Sequence, residues 1–529
     1  MKFDPVLVHA WLSRTAQRFP DKTALVCDGK RLSYTEIDQA STRLARSIVN
    51  KGLEKGDRVV VFMENSAEAV IGIYGILKAG GIFVVAEAAS TSSSLKHVLR
   101  DSGARFVMTH IDKAKVVESV LSDRSVDIRV VWAGKPDPAS AFSPAGLEWE
   151  VLLREPNLEV ALPRVIDVDL AALIYTSGST GRPKGIMCTH HNMVSAARSI
   201  LQYIGNDEND VILNVLPLAF DYGLYQVLMG FMFGGTIVLE REMGFLEPMI
   251  RAIEKERVTG FPVVPLISAI LLKMKRVPVE RFSSLRYVTS TGALWPAAHI
   301  RQFRKLLPNV TFFSMYGLTE CKRVGFLPPE FIDSYPESVG RAMPNCEALV
   351  IDEKGNPVRP GETGELVVRG SNVMQGYWND RETTEQFFRA GRYPADRVLH
   401  TGDWFRLGEE GLLYFVGRRD DLIKSFGRRV GPREVEDIIV SMPGIAEAAV
   451  VGVADEINGQ VPGAFVVTKK GSGLDESGIK IFCGKHLEPY KVPRYLWFVD
   501  SLPRTPNGKV DKKSLKDQAS ASLGKRGSS

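Results

Sequence analysis

Ile174-Tyr-Thr-Ser-Gly-Ser-Thr-Gly-Arg-Pro-Lys-Gly185 gathers three glycines, four hydroxyl residues and a lysine into one short run. The residues leading into it, Val168-Asp-Leu-Ala-Ala-Leu-Ile-Tyr175, predict a short apolar strand, and Thr176 to Gly185 is too rich in Gly, Ser and Thr to pack. Gly178, Gly181 and Gly185 let the backbone turn sharply and come close to a ligand. Successive exposed N–H groups in such a loop make a concave anion site. Thr176, Ser177, Ser179 and Thr180 add hydroxyl donors, and Lys184 adds a positive charge. A polyphosphate fits this set. The spacing is not that of P-loop NTPases, because Arg182-Pro-Lys-Gly185 carries no Ser or Thr after the lysine to hold magnesium.

Upstream, the sequence alternates strand and helix. Val6, Leu7, Ala10, Trp11 and Phe19 fall at helical spacing over residues 5–19. Asp28-Gly29 marks a hairpin between two short strands. Ser33-Tyr-Thr-Glu36 reads as a capping box opening a helix to about Lys51. Strands at 57–63, 82–86, 106–109 and 126–132, with a helix at 66–80, imply parallel sheets covered by helices. Residues 134–165, Pro-rich and without period, read as a surface excursion. Downstream, Thr189-His-His-Asn192 introduces a helix over about 192–203, and its two histidines lack a metal-site spacing and read as structural. Strands are expected to run into Thr291-Gly-Ala-Leu294 and into Tyr316-Gly-Leu-Thr-Glu320, and residues 360–376 read as turn and strand of a small β-rich unit. From Leu422 a new unit begins, with an amphipathic helix at 433–441. Residues 517–529, rich in Ser, Gly and Lys, read as a disordered tail.

A chain of 529 residues is too long for one core. Apolar content of 44% and charged content of 24% are those of an ordinary globular protein. A net charge of +5, from 67 basic and 62 acidic residues, gives no case for nucleic acid. Five scattered cysteines, with no C-x-x-C pair, argue against a disulfide framework or a zinc cage. The most apolar long stretch, 211–239, is interrupted by Pro217, Asp221 and four glycines, so it reads as buried α/β segment rather than membrane span. Met1-Lys-Phe-Asp-Pro5 carries no signal peptide, and the expected address is cytoplasmic.

Residues 175–185 match throughout the pattern Tyr-Thr-Ser-Gly-[Ser/Thr]-Thr-Gly-x-Pro-Lys-Gly, so the chain resembles the adenylate-forming superfamily of acyl-CoA synthetases, luciferases and peptide-synthetase adenylation domains. Six further motifs follow in family order. The resemblance implies an α/β fold: a large N-terminal AMP-binding domain of sheets with packed helices plus a β-rich subdomain (1–417), a hinge (418–421), and a small mobile α+β C-terminal domain (422–529) carrying the catalytic lysine.

It also implies roles. Thr176 to Gly181 with Lys184 hold ATP phosphates. Gly292 and Ala293 lie against adenine, and Tyr316 stacks on it. Gly317 lines the site for nucleotide and acid, Thr319 bonds the α-phosphate, and Glu320 holds Mg2+. Asp403 accepts the ribose hydroxyls, Arg418 meets ribose or phosphate, Asp420 is the hinge residue and Gly427 lines the thiol channel. Lys509, presented by a Pro- and Gly-rich loop, bridges the reacting carboxylate and the α-phosphate. Phe220 gates the carboxylate pocket. Asp221 either caps a helix starting near Tyr222 or, as in amino-acid-activating relatives, binds a substrate ammonium.

Two departures stand out. Residues 84–94 lack the family's Pro-containing turn. Cys321-Lys322-Arg323 replaces small residues with two charges, which either point to solvent, the reading favoured by sequence alone, or meet an anionic substrate tail. The implied reaction joins a small-molecule carboxylic acid to CoA through an acyl-adenylate, using ATP and Mg2+. Its nearest rival loads an amino acid onto the phosphopantetheine of a separate carrier protein.

Overall fold

The computed structural model describes residues 4–526 apart from 124–127, 136–145, 156–158, 178–182, 242–245, 275, 294, 394–395, 420, 426–427, 456–458, 470 and 506–509. Among the described residues the strands form four sheets. In the seven-stranded one, Arg58–Phe62 lies parallel between Ile82–Val85 and Phe106–His110, with Val59 opposite both Phe83 and Phe106. A parallel strand flanked by helices is buried on both faces, which is why Arg58-Val-Val-Val-Phe62 is a continuous apolar run. The nine-stranded sheet brings Val211–Asn214, Gly260–Val263, Tyr287–Ser290 and Thr311–Tyr316 side by side in parallel. Helix Asp221–Phe233 packs into the core between these sheets and is buried over most of its length.

Several local expectations hold. Ser33 and Glu36 form the capping box of helix Tyr34–Asn50. Asp28 and Gly29 both take positive φ, 49° and 73°, as a two-residue hairpin between Thr23–Cys27 and Lys30–Ser33 demands. Others are corrected. The strand before the glycine-rich run extends through Ser177, and Pro183–Thr189 returns antiparallel to it, so Thr176, Ser177 and residues 183–185 of the expected loop are strand. Within the expected excursion, helix Trp149–Arg154 buries Trp149 and Leu152. The expected tail is helical from Lys512 to Arg526, because Leu515 and Ala519, one turn apart, bury against Ala449, Val451 and Val453.

A β-rich unit of Cys346–Ile351, Thr363–Gly370, Phe388–Ala390, Arg397–Leu407 and Leu413–Arg418 closes the first part of the chain. The remaining sheet, built on Ile445–Asp455 and Gly459–Thr468, has helices Pro432–Ser441 and Glu476–His486 in its own core. The cores of the first part run as far as Leu413 and those of the second begin at Ile423.

Candidate active site

Lys184 at the start of Pro183–Thr189, the end of Thr311–Tyr316 with the turn after it, and one edge of the β-rich unit are linked through a chain of polar side chains. Register places Thr176 opposite Lys184. Gly178, Ser179, Thr180 and Gly181 lie outside the described residues, and Ser177 is described only as the end of its strand. Residues 375–378 run alongside Pro183–Thr189 through Gln375 N to Met187 O at 2.9 Å, Met187 N to Gly376 O at 2.9 Å and Trp378 N to Gly185 O at 2.7 Å. This carries three residues that sequence reading missed up to Lys184. Lys184 Nζ pairs with Asp380 Oδ2 at 2.7 Å and donates to Thr383 Oγ1 at 2.6 Å, while the Tyr377 ring centroid lies 5.8 Å away. Lys184 holds the Asp380 carboxyl down to about 2. The available signal was Asp380 three residues before Thr383, an N-cap spacing that the helix Arg381–Phe387 uses.

Tyr377 joins Lys184 to the second motif, donating its hydroxyl to Glu320 Oε1 at 2.7 Å. Burial raises the Glu320 carboxyl above its usual range. Thr319 sits beside it on the turn, half-buried. Gly317 has no room for a side chain: a Cβ there would lie 2.5 Å from Lys322 O. At the strand end the Tyr316 hydroxyl donates to Asp403, and its ring packs edge-on against Phe405 at 4.9 Å. Antiparallel register sets Asp403 directly across from Arg418, whose Nε is 3.5 Å from Asp403 Oδ1. The Asp403 charge pushes the Arg418 guanidinium above its usual range. Asp420, Gly427 and Lys509, the expected hinge, channel and catalytic residues, lie outside the described residues.

The acid side of the site departs from expectation. Phe220, not Asp221, occupies the cap position of helix Asp221–Phe233, and its ring lies 3.2 Å from where a Cβ on Gly292 would stand. Gly292 has φ of 88°, which frees that space, and Ala293 follows on the same turn. Lys322 and Arg323 are buried, 3% and 2% exposed, so the solvent reading fails. Lys322 Nζ donates to Asp221 O at 2.9 Å and lies 3.7 Å from its carboxylate, over the Tyr225 ring at 4.3 Å. Asp221 is therefore neither a helix cap nor a free carboxylate. Burial drives the Lys322 amine down to about 7. Asn372 pins this turn by donating to Cys321 O at 2.9 Å and Arg323 O at 2.8 Å.

The family pattern described as AMP-binding enzyme matches residues 12–378, and that of the AMP-binding enzyme C-terminal domain matches 434–509. The chain belongs to the AMP-binding enzyme family. It is 32% identical to 4-coumarate-CoA ligase 1 of Narcissus pseudonarcissus, over 98% of this chain and 94% of that one. It is 31% identical to a long-chain-fatty-acid–CoA ligase of Salmonella typhimurium, over 95% and 93%. Among solved structures, ATP-bound MatB from Rhodopseudomonas palustris superposes with a TM-score of 0.86 at 29% identity, over 96% of this chain and 98% of that one. This AMP-binding enzyme is thus an ATP-dependent ligase of the acid–thiol class. Among its described residues no helix is long and apolar enough to cross a membrane.

Proposed function

We propose that the enzyme activates a carboxylic acid other than an amino acid, forming an acyl-adenylate and pyrophosphate from ATP, and then passes the acyl group to the thiol of CoA. The observation that carries this reading is the Lys322–Asp221 contact. Amino-acid activation needs the Asp221 carboxylate for a substrate ammonium, and here the chain's own amine stands beside it.

Adenylation brings a carboxylate and a triphosphate together, so catalysis is chiefly positioning and charge neutralisation. Asp403 accepts from the ribose hydroxyls in place of the Tyr316 hydroxyl, with Arg418 holding its charge. The Tyr316 ring stacks on adenine, which lies against Gly292, Ala293 and Gly317. Lys184 exchanges Asp380 and Thr383 for phosphate oxygens, helped by Thr176, Ser177, Gly178, Ser179, Thr180 and Gly181. Thr319 donates to the α-phosphate, and Lys509 bridges that phosphate and the attacking carboxylate.

Among the described residues no three His, Cys, Asp or Glu side chains converge as a metal cage. The half-buried carboxylate of Glu320 suits Mg2+, which takes one or two protein carboxylates and completes its shell with phosphates and water. When bound there, the ion neutralises phosphate charge. Asp420 serves as hinge between the two half-reactions, and Gly427 lines the thiol's path.

Phe220-Asp221 keeps one rival in view, the loading of an amino acid onto carrier-protein phosphopantetheine. Incubation with ATP, Mg2+ and hydroxylamine separates the two by trapping any adenylate as a hydroxamate. Signal from fatty and aromatic acids, with none from amino acids, is expected. Signal from the amino-acid pool alone would overturn the reading.

A further inference from the structure

The proposed reaction uses neither charge of the Lys322-Arg323 pair. Lys322 is satisfied by Asp221 and the Tyr225 face. Arg323 is not. Its Nε is buried without a hydrogen-bond partner, and among the described residues no carboxylate stands within ion-pair distance of its guanidinium. Its surroundings are phenol rings. The guanidinium carbon lies 5.3 Å from the Tyr222 ring centroid. Tyr203 donates its hydroxyl to Met315 Sδ at 3.0 Å, and burial pushes its phenol up to about 12 against the pull of the Arg323 charge and of a hydrogen bond between the two side chains.

Arginine does not shed its proton in proteins, so burial cannot neutralise it as it can Lys322. Cation–π contacts compensate a desolvated guanidinium only in part. The missing partner is an anion.

Position says where that anion comes from. The Tyr222 ring that faces Arg323 also meets Phe220 edge-on, at 6.1 Å between centroids. Phe220, the expected gate of the carboxylate pocket, borders Gly292. Thus Arg323 stands one ring beyond the gate residue, and the turn bearing it is fixed by Asn372 and by the close approach of Gly317. Asp221 is engaged by Lys322, so among the described residues no carboxylate of this cluster reaches the Arg323 guanidinium.

We propose that Arg323 binds a second carboxylate at the far end of the acid substrate, so that the enzyme activates one end of a dicarboxylic acid in preference to a monoacid of the same length. The inference rests on the acid-activating reading and names its substrate class. A guanidinium takes a carboxylate in a two-point grip that a methyl terminus cannot offer. The selectivity would arise chiefly from rejection, because a monoacid leaves Arg323 buried and unpaired.

The test is ATP–pyrophosphate exchange by the full-length enzyme with a length series of α,ω-diacids from four to ten carbons. Each is matched to the monoacid of equal length, and terephthalate is matched to 4-methylbenzoate. At least one diacid is expected to exceed its monoacid in kcat/KM by roughly 10- to 100-fold, the range of one charge-assisted hydrogen bond. Arg323→Gln is expected to collapse that ratio towards one while its monoacid exchange holds or rises, which also certifies that the variant folds. A wild-type enzyme that uses every monoacid as well as its diacid would overturn this inference and leave the ligase reading intact, since the monoacid exchange itself demonstrates adenylation. Equal loss of both acids in Arg323→Gln would reduce Arg323 to a structural part.

Discussion

Asp403 owes its chemistry to register. The strand Arg397–Leu407 sets it opposite Arg418, and Tyr316 reaches it from the neighbouring sheet, so the carboxylate is held between a cation and a phenol while 5% exposed. Asparagine there keeps the shape and removes the charge. Asp403→Asn is expected to raise KM for ATP by roughly 10- to 100-fold, the range of hydrogen bonds to charged groups, with a smaller effect on kcat. Steady-state pyrophosphate release checks it, and an unchanged KM for ATP would remove Asp403 from the ribose site. Lys322 is a second residue whose role is set by partners distant in sequence. Removing one side of a buried ion pair costs more than removing both. Lys322→Met alone should lower the thermal midpoint, and adding Asp221→Asn should recover part of the loss. Additive losses would mean the two residues are energetically independent. Asp403 was legible in the sequence because Thr401-Gly-Asp403 is a local motif. Lys322 and Arg323 were not, because nothing within ten residues of them announces that helix Asp221–Phe233 covers them.

At the scale of elements, local signals were legible wherever the backbone's own hydrogen bonding decides the outcome. Thr189 and Asn192 form the capping box that starts helix His190–Ile204, as the Thr-x-x-Asn spacing implies. The helix Lys512–Arg526 was illegible because its polar composition hides a two-residue apolar stripe that matters only against Ile445–Asp455. The same helix His190–Ile204 carries a pH dependence. Val8 N donates to His190 Nδ1 at 3.2 Å, and the His9 ring lies edge-on at 5.5 Å, joining this helix to Val8–Arg18. Burial lowers His190 to about 4 and His9 to about 3, and in His9 the neighbouring His190 adds to the effect. Asp169 and Asp167 pull His190 the other way, and Lys78 adds to the depression of His9. Both folded values lie below the unfolded 6.5, so between pH 6.5 and about 4 the unfolded chain binds more protons. Stability should therefore fall as pH falls through this window. His190 alone should contribute on the order of 2 kcal/mol of loss between pH 7 and 5. In urea unfolding, His190→Gln should lose less midpoint than wild type over that interval, and an equal loss would refute the assignment.

The whole molecule is two sets of cores joined by a short connection. Apolar clusters of the first part end at Leu413, those of the second start at Ile423, and the expected hinge, 418–421, lies between them. One contact that crosses is of the kind that rotation can break: Lys273 Nζ and Glu447 Oε1 form a 3.4 Å pair whose lysine is largely exposed. Such surface pairs contribute little. Two half-reactions on one nucleotide need two surfaces. Rigid-body turning of the second part about the proposed hinge would supply both without rebuilding either core. Motif order and a change of unit at Leu422 are properties of the chain and can be read from it, whereas the angle between the parts cannot. A pair of variants separates the steps. Lys509→Ala should lower adenylation by roughly two to four powers of ten, as loss of one preorganised electrostatic contact does. Asp420→Pro fixes φ at the hinge, and should leave adenylation largely intact while blocking thioester formation. Pyrophosphate exchange reads the first step, and single-turnover transfer from preformed acyl-adenylate to CoA reads the second. Opposite profiles for the two variants are expected; an Asp420→Pro enzyme that loses both steps equally would mean that residue 420 positions the nucleotide rather than the hinge.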